Sequence, residues 1–536
     1  MLLGALLRTW QYLANSSLWI DELALARNII DRPFLALWQP LDYAQVAPVG
    51  FLILERGLTK LLGTNELALR AFPFLSGLAS LFLFWSVSKR VLSGWAGTLA
   101  VGLFSLGIPF IYFSSQVKQY SSDVAAALLL LLAALVTHRR GLTPGRAFCL
   151  GMLGSAVVWF SQPAIFVMAG IGTALLVLAL GGGERHAARR LAITLMLWAA
   201  SAAAVVAHSV WNVRPMDQEY FHWFWSSGFM PLPPRTLSEL GWLPGKLTWV
   251  FGAFGPGLGH TNGGLNYRWS PIFTAMMVYG YWVLWRKQRD AALFLLLPVL
   301  VAIGLSALSL YPFTARLLAF LIPFLLLAVA AGAGALLTHL QSRFQLLGTA
   351  VLALLVGSPI YAIATALPPS WVQHLRPVVA HMQQRLETDD RIYVYSGAGL
   401  AFGYYAPRFG IQRDRVILGR CSLADPRGYL RELDGLRGQK RVWIVATHEQ
   451  RPGELELILG YLDQIGRRLD AVVVPASNGR IIEGAYGYLY DLSDRDRLAS
   501  AAAETYALPS ALQPISTGIQ RWGCYGITGG EPSPLR

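Results

Sequence analysis

The run from residue 123 to residue 137, DVAAALLLLLAALVT, decides the class of this chain. It is apolar after its first residue, and His138-Arg139-Arg140 follow it directly. Similar runs recur along the 536 residues, of which 54% are hydrophobic and only 14% are charged. A soluble protein of this length would carry about 25% charged residues, and about 20 apolar residues cross a bilayer. The sequence therefore predicts a polytopic α-helical membrane protein.

Clusters of lysine and arginine predict the topology. Such residues gather in the cytoplasmic loops of membrane proteins. If every cluster is placed on the cytoplasmic side, all of the apolar spans can be assigned as membrane crossings. The net charge of +14 is explained in this way without nucleic acid. We expect roughly ten or eleven membrane helices. The visible apolar spans are 71–88, 95–113, 123–137, 147–161, 164–180, 192–211, 271–285, 292–310, 316–337 and 345–365.

The same topology divides the chain into three predicted regions. Residues 1–365 form the transmembrane domain, 366–495 form an extracytoplasmic domain, and 496–536 form a poorly ordered tail. A span should precede Arg8, so either the natural chain starts upstream or the N-terminus lies outside without a first helix. The predicted outer loops are 8–70, 114–122, 212–270 and 311–316.

After about residue 366 the composition becomes that of a soluble protein. Strand-like and helix-like segments alternate there, which predicts a small α/β domain with a parallel sheet. Ser396-Gly397-Ala398-Gly399 is interpreted as a turn, because a lone GxG is not a dinucleotide fingerprint. Cys421 and Cys524 could form one disulfide if this domain is extracytoplasmic. The predicted strands are 391–395, 441–446, 471–474 and 486–491, and the predicted helices are 371–387, 426–437 and 453–468.

Two neighbouring acids, Asp21 and Glu22, end the segment Ser17-Leu18-Trp19-Ile20-Asp21-Glu22 in the first outer loop. Taken alone, such a pair often marks only the start of a helix. Partial burial beside Trp19 would, however, favour a carboxylate that accepts protons, as a general base does.

Three cationic side chains lie at the predicted outer face. Lys118 could bind an anionic headgroup or simply snorkel, and Asp123 could orient it or cap the next helix. Tyr120 belongs to the same polar run. Arg316 and Arg70 enter apolar spans from the outer side, against the charge bias, so we expect each to have a carboxylate or phosphate partner or to be a helix-end snorkeller.

The long outer loop contains Glu219-Tyr220-Phe221-His222-Trp223-Phe224-Trp225. One interpretation is an aromatic belt at the membrane interface. The other is a platform for a sugar ring or a polyprenyl chain.

These features together resemble the GT-C glycosyltransferases, which include bacterial relatives of protein O-mannosyltransferases and of lipid A aminoarabinose transferases. The resemblance covers nearly the whole chain and includes the C-terminal α/β domain. The residues that carry it are Trp19-Ile20-Asp21-Glu22, Ala47-Pro48-Val49-Gly50-Phe51, Arg70-Ala71-Phe72-Pro73, Ser114 to Asp123, and Arg316 with Leu317 to Pro323.

The resemblance implies a role for each candidate. Asp21 would be the catalytic base that activates an acceptor hydroxyl or amine, with Glu22 assisting. Lys118 and Arg316 would hold the phosphate of a polyprenyl-phosphate sugar, and inversion would be expected. Tyr120, Asp123 and Arg70 are further donor-site candidates, and Arg268 is a less secure cation candidate.

One departure from the family concerns the first loop. Relatives of the aminoarabinose branch carry a Glu-Lys-Pro-like element where this chain has Gln45-Val46-Ala47-Pro48. A metal ligand or phosphate lysine is therefore not expected there, so no metal-site residue is predicted and a divalent metal is left open.

The predicted function is transfer of a sugar to an envelope lipid, glycan or protein at the periplasmic face of a bacterial inner membrane. A transporter or flippase for a lipid-linked saccharide is one alternative, although transporters place ionisable residues near the midplane. A non-catalytic subunit of a polysaccharide assembly complex is the other. Walker, HExxH, CxxC and GxSxG motifs are absent from the sequence, which disfavours ATPases, zinc proteases and serine hydrolases.

Overall fold

A computed structural model gives the fold of the chain. The residues that it describes are 1–183, 185–252, 270–339, 345–365, 368–477, 483–512 and 522–525.

Most of the first 365 residues are helical, with short connections. The helices are α1 (Leu2–Leu13), α2 (Ile20–Asp31), α3 (Val49–Leu62), α4 (Glu66–Val91), α5 (Trp95–Leu106), α6 (Ile108–Phe113), α7 (Tyr120–Arg140), α8 (Pro144–Val157), α9 (Ala164–Gly181), α10 (Arg185–Trp211), α11 (Pro215–Phe224), α12 (Leu237–Leu240), α13 (Trp242–Gly252), α14 (Ser270–Lys287), α15 (Arg289–Ala307), α16 (Ile322–His339) and α17 (Gln345–Thr365).

Six helices in the described part of the chain are long and apolar enough to cross a membrane. They are α4, α7, α9, α10, α15 and, from Gly348, α17; α5 and α16 are shorter apolar helices. The chain is therefore a multi-pass membrane protein, as predicted. An apolar run can overestimate the length of a membrane helix, because apolar residues continue through positions at which the helix is interrupted.

Two predicted spans contain such breaks. The predicted span 95–113 is wrong as a single helix, because Gly107 interrupts it and Pro109 lies in the first turn of α6. Proline lacks the N–H that a continuous helix would need there. The predicted span 316–337 begins instead at Ile322, after a 3₁₀ turn over Ala315–Leu318.

Helices α14 and α16 touch through their backbones. A Cβ placed on Gly280 would lie 1.7 Å from the carbonyl oxygen of Ala328, and one on Gly332 would lie 2.2 Å from that of Met276. Small residues allow membrane helices to approach this closely, and packing there replaces the hydrophobic drive available in water. Both glycines are therefore required by the crossing.

The chain forms two compact units. The first comprises Met1–Ala14, Pro33–Pro40 and Val46–Pro369. The second comprises Asn15–Arg32, Leu41–Gln45 and Ser370–Arg536. The segment with Asp21 and Glu22 thus groups with the C-terminal residues, whereas the sequence had placed it with the membrane domain. The boundaries of the functional domains remain a prediction.

The second unit contains a five-stranded sheet. The strands and helices of this unit after residue 370 are α18 (Arg376–Arg385), β1 (Arg391–Val394), α19 (Gly399–Tyr405), β2 (Val416–Leu418), α20 (Arg427–Asp434), β3 (Val442–Thr447), α21 (Glu454–Ile465), β4 (Arg467–Val474), β5 (Ala485–Asp491) and α22 (Arg495–Leu498). The strand order is β2-β1-β3-β5-β4.

The predicted parallel sheet is only half right. Strands β1, β2 and β3 are parallel, but β5 pairs antiparallel with both β3 and β4. Only ten residues separate Val474 from Ala485, fewer than the dozen or more that a parallel crossover connection needs. Strand β2 was not predicted because it has only three residues, none of them fully buried.

Buried tyrosines and aliphatic side chains fill the space between the sheet and its helices. Tyr393, Tyr429 and Tyr461 belong to this core, and Ala503 and Leu512 of the predicted tail pack into it. Cys421 and Cys524 form a disulfide, which confirms the pairing that the sequence left open. Of the predicted tail, residues 513–521 and 526–536 lie outside the described ranges.

Candidate functional site

Asp21 and Glu22 lie in the first turn of α2, where partial positive charge from backbone N–H groups favours acids. The Glu22 carboxylate accepts a hydrogen bond from the Trp19 backbone N–H at 3.4 Å, and Glu22 is buried. This bond fits the helix-start interpretation of Glu22. Asp21 is partly exposed, and its Oδ2 atom is shielded from solvent.

Side chains from the C-terminal residues hold the backbone just before Asp21. The Leu18 N–H donates to the Tyr405 hydroxyl at 2.7 Å, and the Ile20 N–H donates to Gln373 Oε1 at 3.0 Å. The Ser17 N–H donates to His374 Nδ1 at 3.0 Å. The entry to α2 is thus fixed by a set of bonds within one compact unit.

His448, in the same unit, is partly exposed at its surface. Desolvation of the imidazole lowers its pKa to about 4, while the negative charge of Asp21 acts in the opposite direction. Its Nδ1 atom lies 2.7 Å from Gln373 Nε2. At neutral pH the ring is therefore an uncharged hydrogen-bonding group.

Arg316 lies between two aromatic rings in the first unit. Its guanidinium carbon is 5.7 Å from the centre of the Tyr120 ring and 5.6 Å from that of Trp225. Both distances fit cation–π contacts. The three residues come from predicted outer loops 114–122, 212–270 and 311–316 or their edges, so the fold brings these loops together at the arginine.

Lys118 and Asp123 flank Tyr120 and are covered by protein, with 5% exposure each. The capping interpretation of Asp123 is wrong, because α7 begins at Tyr120 and Gln119 occupies the cap position. Asp123 instead lies next to Ser161, and its charge acts on the hydroxyl of Tyr311. Gly77 packs against this turn, since a Cβ there would lie 2.6 Å from that of Ser114.

Arg70 belongs to a second group of buried side chains. Burial raises the pKa of the Tyr12 hydroxyl and the charge of Arg70 lowers it, and this hydroxyl donates to the Leu67 carbonyl at 2.8 Å. Glu55, on α3, is fully buried, and neither of its carboxylate oxygens has a hydrogen-bond partner. Burial raises the pKa of Glu55 well above its usual range.

Two further expectations concern cations and metals. Arg268 lies outside the described residues. Within the described ranges, no group of three or more histidine, cysteine, aspartate or glutamate side chains is arranged to hold a metal ion.

Sequence reasoning missed several residues of these clusters. Trp225 and Tyr311 were visible only as members of aromatic or loop segments. Gln373 and His448 gave no local signal, although His448 directly follows a buried strand, where functional side chains of open sheets often lie. Glu55 was missed as well, because a single acid on a helix is not a distinctive signal.

No protein-family model matches the chain, and no curated protein matches it. Several solved structures resemble it in fold. ArnT from Cupriavidus metallidurans bound to undecaprenyl phosphate aligns at a TM-score of 0.44 and 12% identity, over 91% of this chain and 97% of that chain.

Two other similar structures are larger proteins. The Archaeoglobus fulgidus oligosaccharyltransferase in complex with Zn and sulfate aligns at a TM-score of 0.46 and 12% identity, over 92% of this chain and 73% of that chain. The arabinofuranosyltransferase AftD from Mycobacteria aligns at a TM-score of 0.42 and 13% identity, over 92% of this chain and 40% of that chain.

Proposed function

We propose that the chain is an integral-membrane glycosyltransferase that uses a polyprenyl-phosphate sugar as its donor. The acceptor hydroxyl or amine attacks the anomeric carbon, and its proton passes to Asp21. The bond between that carbon and the phosphate oxygen breaks, and polyprenyl phosphate leaves with the electron pair. Attack opposite the leaving group inverts the anomeric centre.

The observation that best supports this proposal is the contact of Arg316 with the rings of Tyr120 and Trp225. Arg316 keeps its positive charge at all physiological pH values and can bind a phosphate through two parallel hydrogen bonds. The Tyr120 and Trp225 rings contact its guanidinium, and Lys118, which is 5% exposed, contributes a second cation on the turn that leads to Tyr120. Fixed cations of this kind stabilise the charge that develops on a departing phosphate.

Asp21 is the acid assigned to proton transfer. Glu22 is bonded to the Trp19 N–H, so we give it the lesser role of an assisting acid. Asp123 and Arg70 are assigned to the donor side, and Asp123 lies three residues after Tyr120 on α7.

The proposal places the chemistry on the periplasmic face of a bacterial inner membrane, with the C-terminal domain on the same side. The basic clusters between spans support that orientation. The acceptor is an envelope lipid, glycan or protein. A divalent metal stays an open component of the donor site.

The test is sugar transfer by the purified protein in proteoliposomes, with a panel of radiolabelled undecaprenyl-phosphate sugars and membrane extract as acceptor. We expect label to move to an acceptor with the wild type, and Asp21→Asn to lower kcat by about 10²–10⁴-fold, the range for loss of a general base. Arg316→Gln should also lose activity.

Asp31→Asn is the matched control. Asp31 lies on the same helix, is half-exposed and pairs with Arg27 at 2.7 Å, so its loss should leave transfer unchanged. If the wild type binds the donors but transfers none of them, the proposal fails. Transbilayer movement of the same lipids would then be measured, because a flippase is the alternative.

A further inference from the structure

Lys246, on α13, is a cation that sequence reasoning missed. Its Nζ atom donates to the Thr314 hydroxyl at 3.3 Å and lies 5.8 Å from the centre of the Trp242 ring. Thr314 precedes Arg316 by two residues, and two residues of extended chain span at most about 7 Å. Lys246 is therefore bonded to the same loop that carries the proposed phosphate-binding arginine.

Thr314 has a hydroxyl oxygen that is available to this ammonium. It lies at the N-cap position of the 3₁₀ turn Ala315–Leu318, but its side chain forms no capping hydrogen bond. Thr314 is also buried, with 7% exposure. The acceptor that holds Lys246 is thus part of the packed interior of the first unit.

Close contacts hold the loop that contains Thr314. The Phe313 N–H donates to the Gly228 carbonyl at 2.7 Å, and a Cβ on Gly228 would lie 2.8 Å from the Thr314 Cγ2 atom. The Trp242 ring centre lies 6.3 Å from that of Phe313. Helix α13 therefore contacts this loop at two points, through the ring pair and through the bond of Lys246.

The ammonium of Lys246 is half-buried, and in the described part of the chain it forms no ion pair with a carboxylate. Burial lowers its pKa below the usual value of 10.5. A desolvated charge without a counter-charge is costly, and a cation kept in such a place usually has an anionic partner. Thr314 accepts from only one of its three donors. The other two point to an anion that comes from outside the chain.

We propose that Lys246 is a further donor-binding residue, whose ammonium binds an oxygen of the donor phosphate together with Arg316. The inference rests on the proposed function and deepens it, because it adds a residue of the long outer loop to the phosphate site. An ammonium is a compact point charge, whereas a guanidinium binds two oxygens side by side. The two cations can therefore bind different oxygens of one phosphate, whose negative charge grows as the sugar leaves.

The test is equilibrium binding of undecaprenyl phosphate, the leaving group without its sugar, to the purified protein in phosphatidylcholine nanodiscs. Lys246→Met removes the charge and keeps an unbranched stem against Trp242. We expect its Kd to rise roughly tenfold to a hundredfold, the range for a hydrogen bond to a charged group. Lys246→Arg keeps the charge and should bind within a few-fold of the wild type. Undecaprenol, which has no phosphate, should bind equally to all three proteins.

Lys89→Met is the matched control. Lys89 also lies over a tryptophan ring, with its Nζ atom 3.9 Å from the centre of Trp85, in the last turn of α4. It belongs to the basic residues that the predicted topology assigns to the cytoplasmic side, away from the proposed site. Its substitution should therefore leave the Kd for undecaprenyl phosphate unchanged.

Two results would overturn the inference. In the first, Lys246→Met binds undecaprenyl phosphate as tightly as the wild type, as expected of a lysine that only reaches the headgroups of bulk lipids. In the second, its binding of undecaprenol falls by the same factor, which indicates a packing role. Neither result depends on sugar transfer. If the wild type binds the lipid through Lys246 but transfers no sugar, the transferase function fails and the phosphate site stands.

Discussion

Asp21 and Glu22 are neighbours in sequence, but their surroundings differ. Glu22 is buried and bonded to the Trp19 backbone, which is a structural task at the start of α2. Asp21 is partly exposed, and its negative charge opposes the fall that desolvation causes in the pKa of His448. The acid pair could be predicted from the sequence because it follows a local apolar segment. Its partners could not, because Gln373 bonds Ile20 across 353 positions and such long-range pairs leave no local pattern.

Glu55 gives a prediction about pH and stability. Its carboxyl is buried without a hydrogen-bond partner, and burial raises its pKa well above the ordinary value of 4.5. Above pH 4.5 the unfolded chain releases this proton while the folded chain keeps it, so rising pH removes stability. Glu55→Gln cannot ionise, and we expect its melting temperature in detergent to fall less than that of the wild type between pH 5 and pH 8.

The control for this prediction is Glu456→Gln, because Glu456 is exposed on α21. Its pH dependence should follow that of the wild type. If Glu55→Gln and the wild type lose the same number of degrees across this range, Glu55 is ionised in the folded protein and the prediction is wrong.

For helices and strands, the sequence predicts which elements exist better than it predicts the residues at which they begin and end. The apolar run 123–137 lies inside α7, and most predicted strands coincide with observed ones. The break at Gly107 was missed because hydropathy does not register backbone geometry. The antiparallel β4–β5 pair was missed because the alternation of strands and helices was interpreted as one parallel sheet, although the connection between these two strands is too short for a parallel crossover.

The crossing of α14 and α16 gives a prediction about packing. Any side chain on Gly280 meets the Ala328 carbonyl at 1.7 Å, and this neighbour is backbone that cannot rotate away. Overpacking of this kind costs about 1–3 kcal/mol. We expect Gly280→Ala to lower the thermal unfolding temperature and the yield of monodisperse protein in detergent.

Gly304→Ala is the comparison. Gly304 lies on α15, and a Cβ there would meet nothing within 4 Å. Alanine favours a helix over glycine by about 1 kcal/mol, so this variant should be as stable as the wild type or more so. Equal stability of Gly280→Ala and Gly304→Ala would contradict the close crossing.

For the whole molecule, charge and cysteine chemistry bear on the same question of orientation. The proposed orientation puts the loops with basic clusters in the cytoplasm and the C-terminal unit outside it. That unit contains the disulfide between Cys421 and Cys524. Disulfides persist in extracytoplasmic compartments and are rare in the cytosol. Two independent properties of the sequence therefore support one orientation, although neither depends on the substrate.

Cysteine counting in the cell tests that orientation. Cys149 is a free cysteine in the first unit, so denatured wild-type protein should react with one maleimide-polyethylene glycol without reductant and with three after reduction. Cys149→Ala should react with none and then with two. We expect this pattern in membranes taken directly from cells under an alkylating quench. Three reactive thiols without reductant would mean that Cys421 and Cys524 stay reduced, and the extracytoplasmic assignment of the C-terminal unit would lose its chemical support.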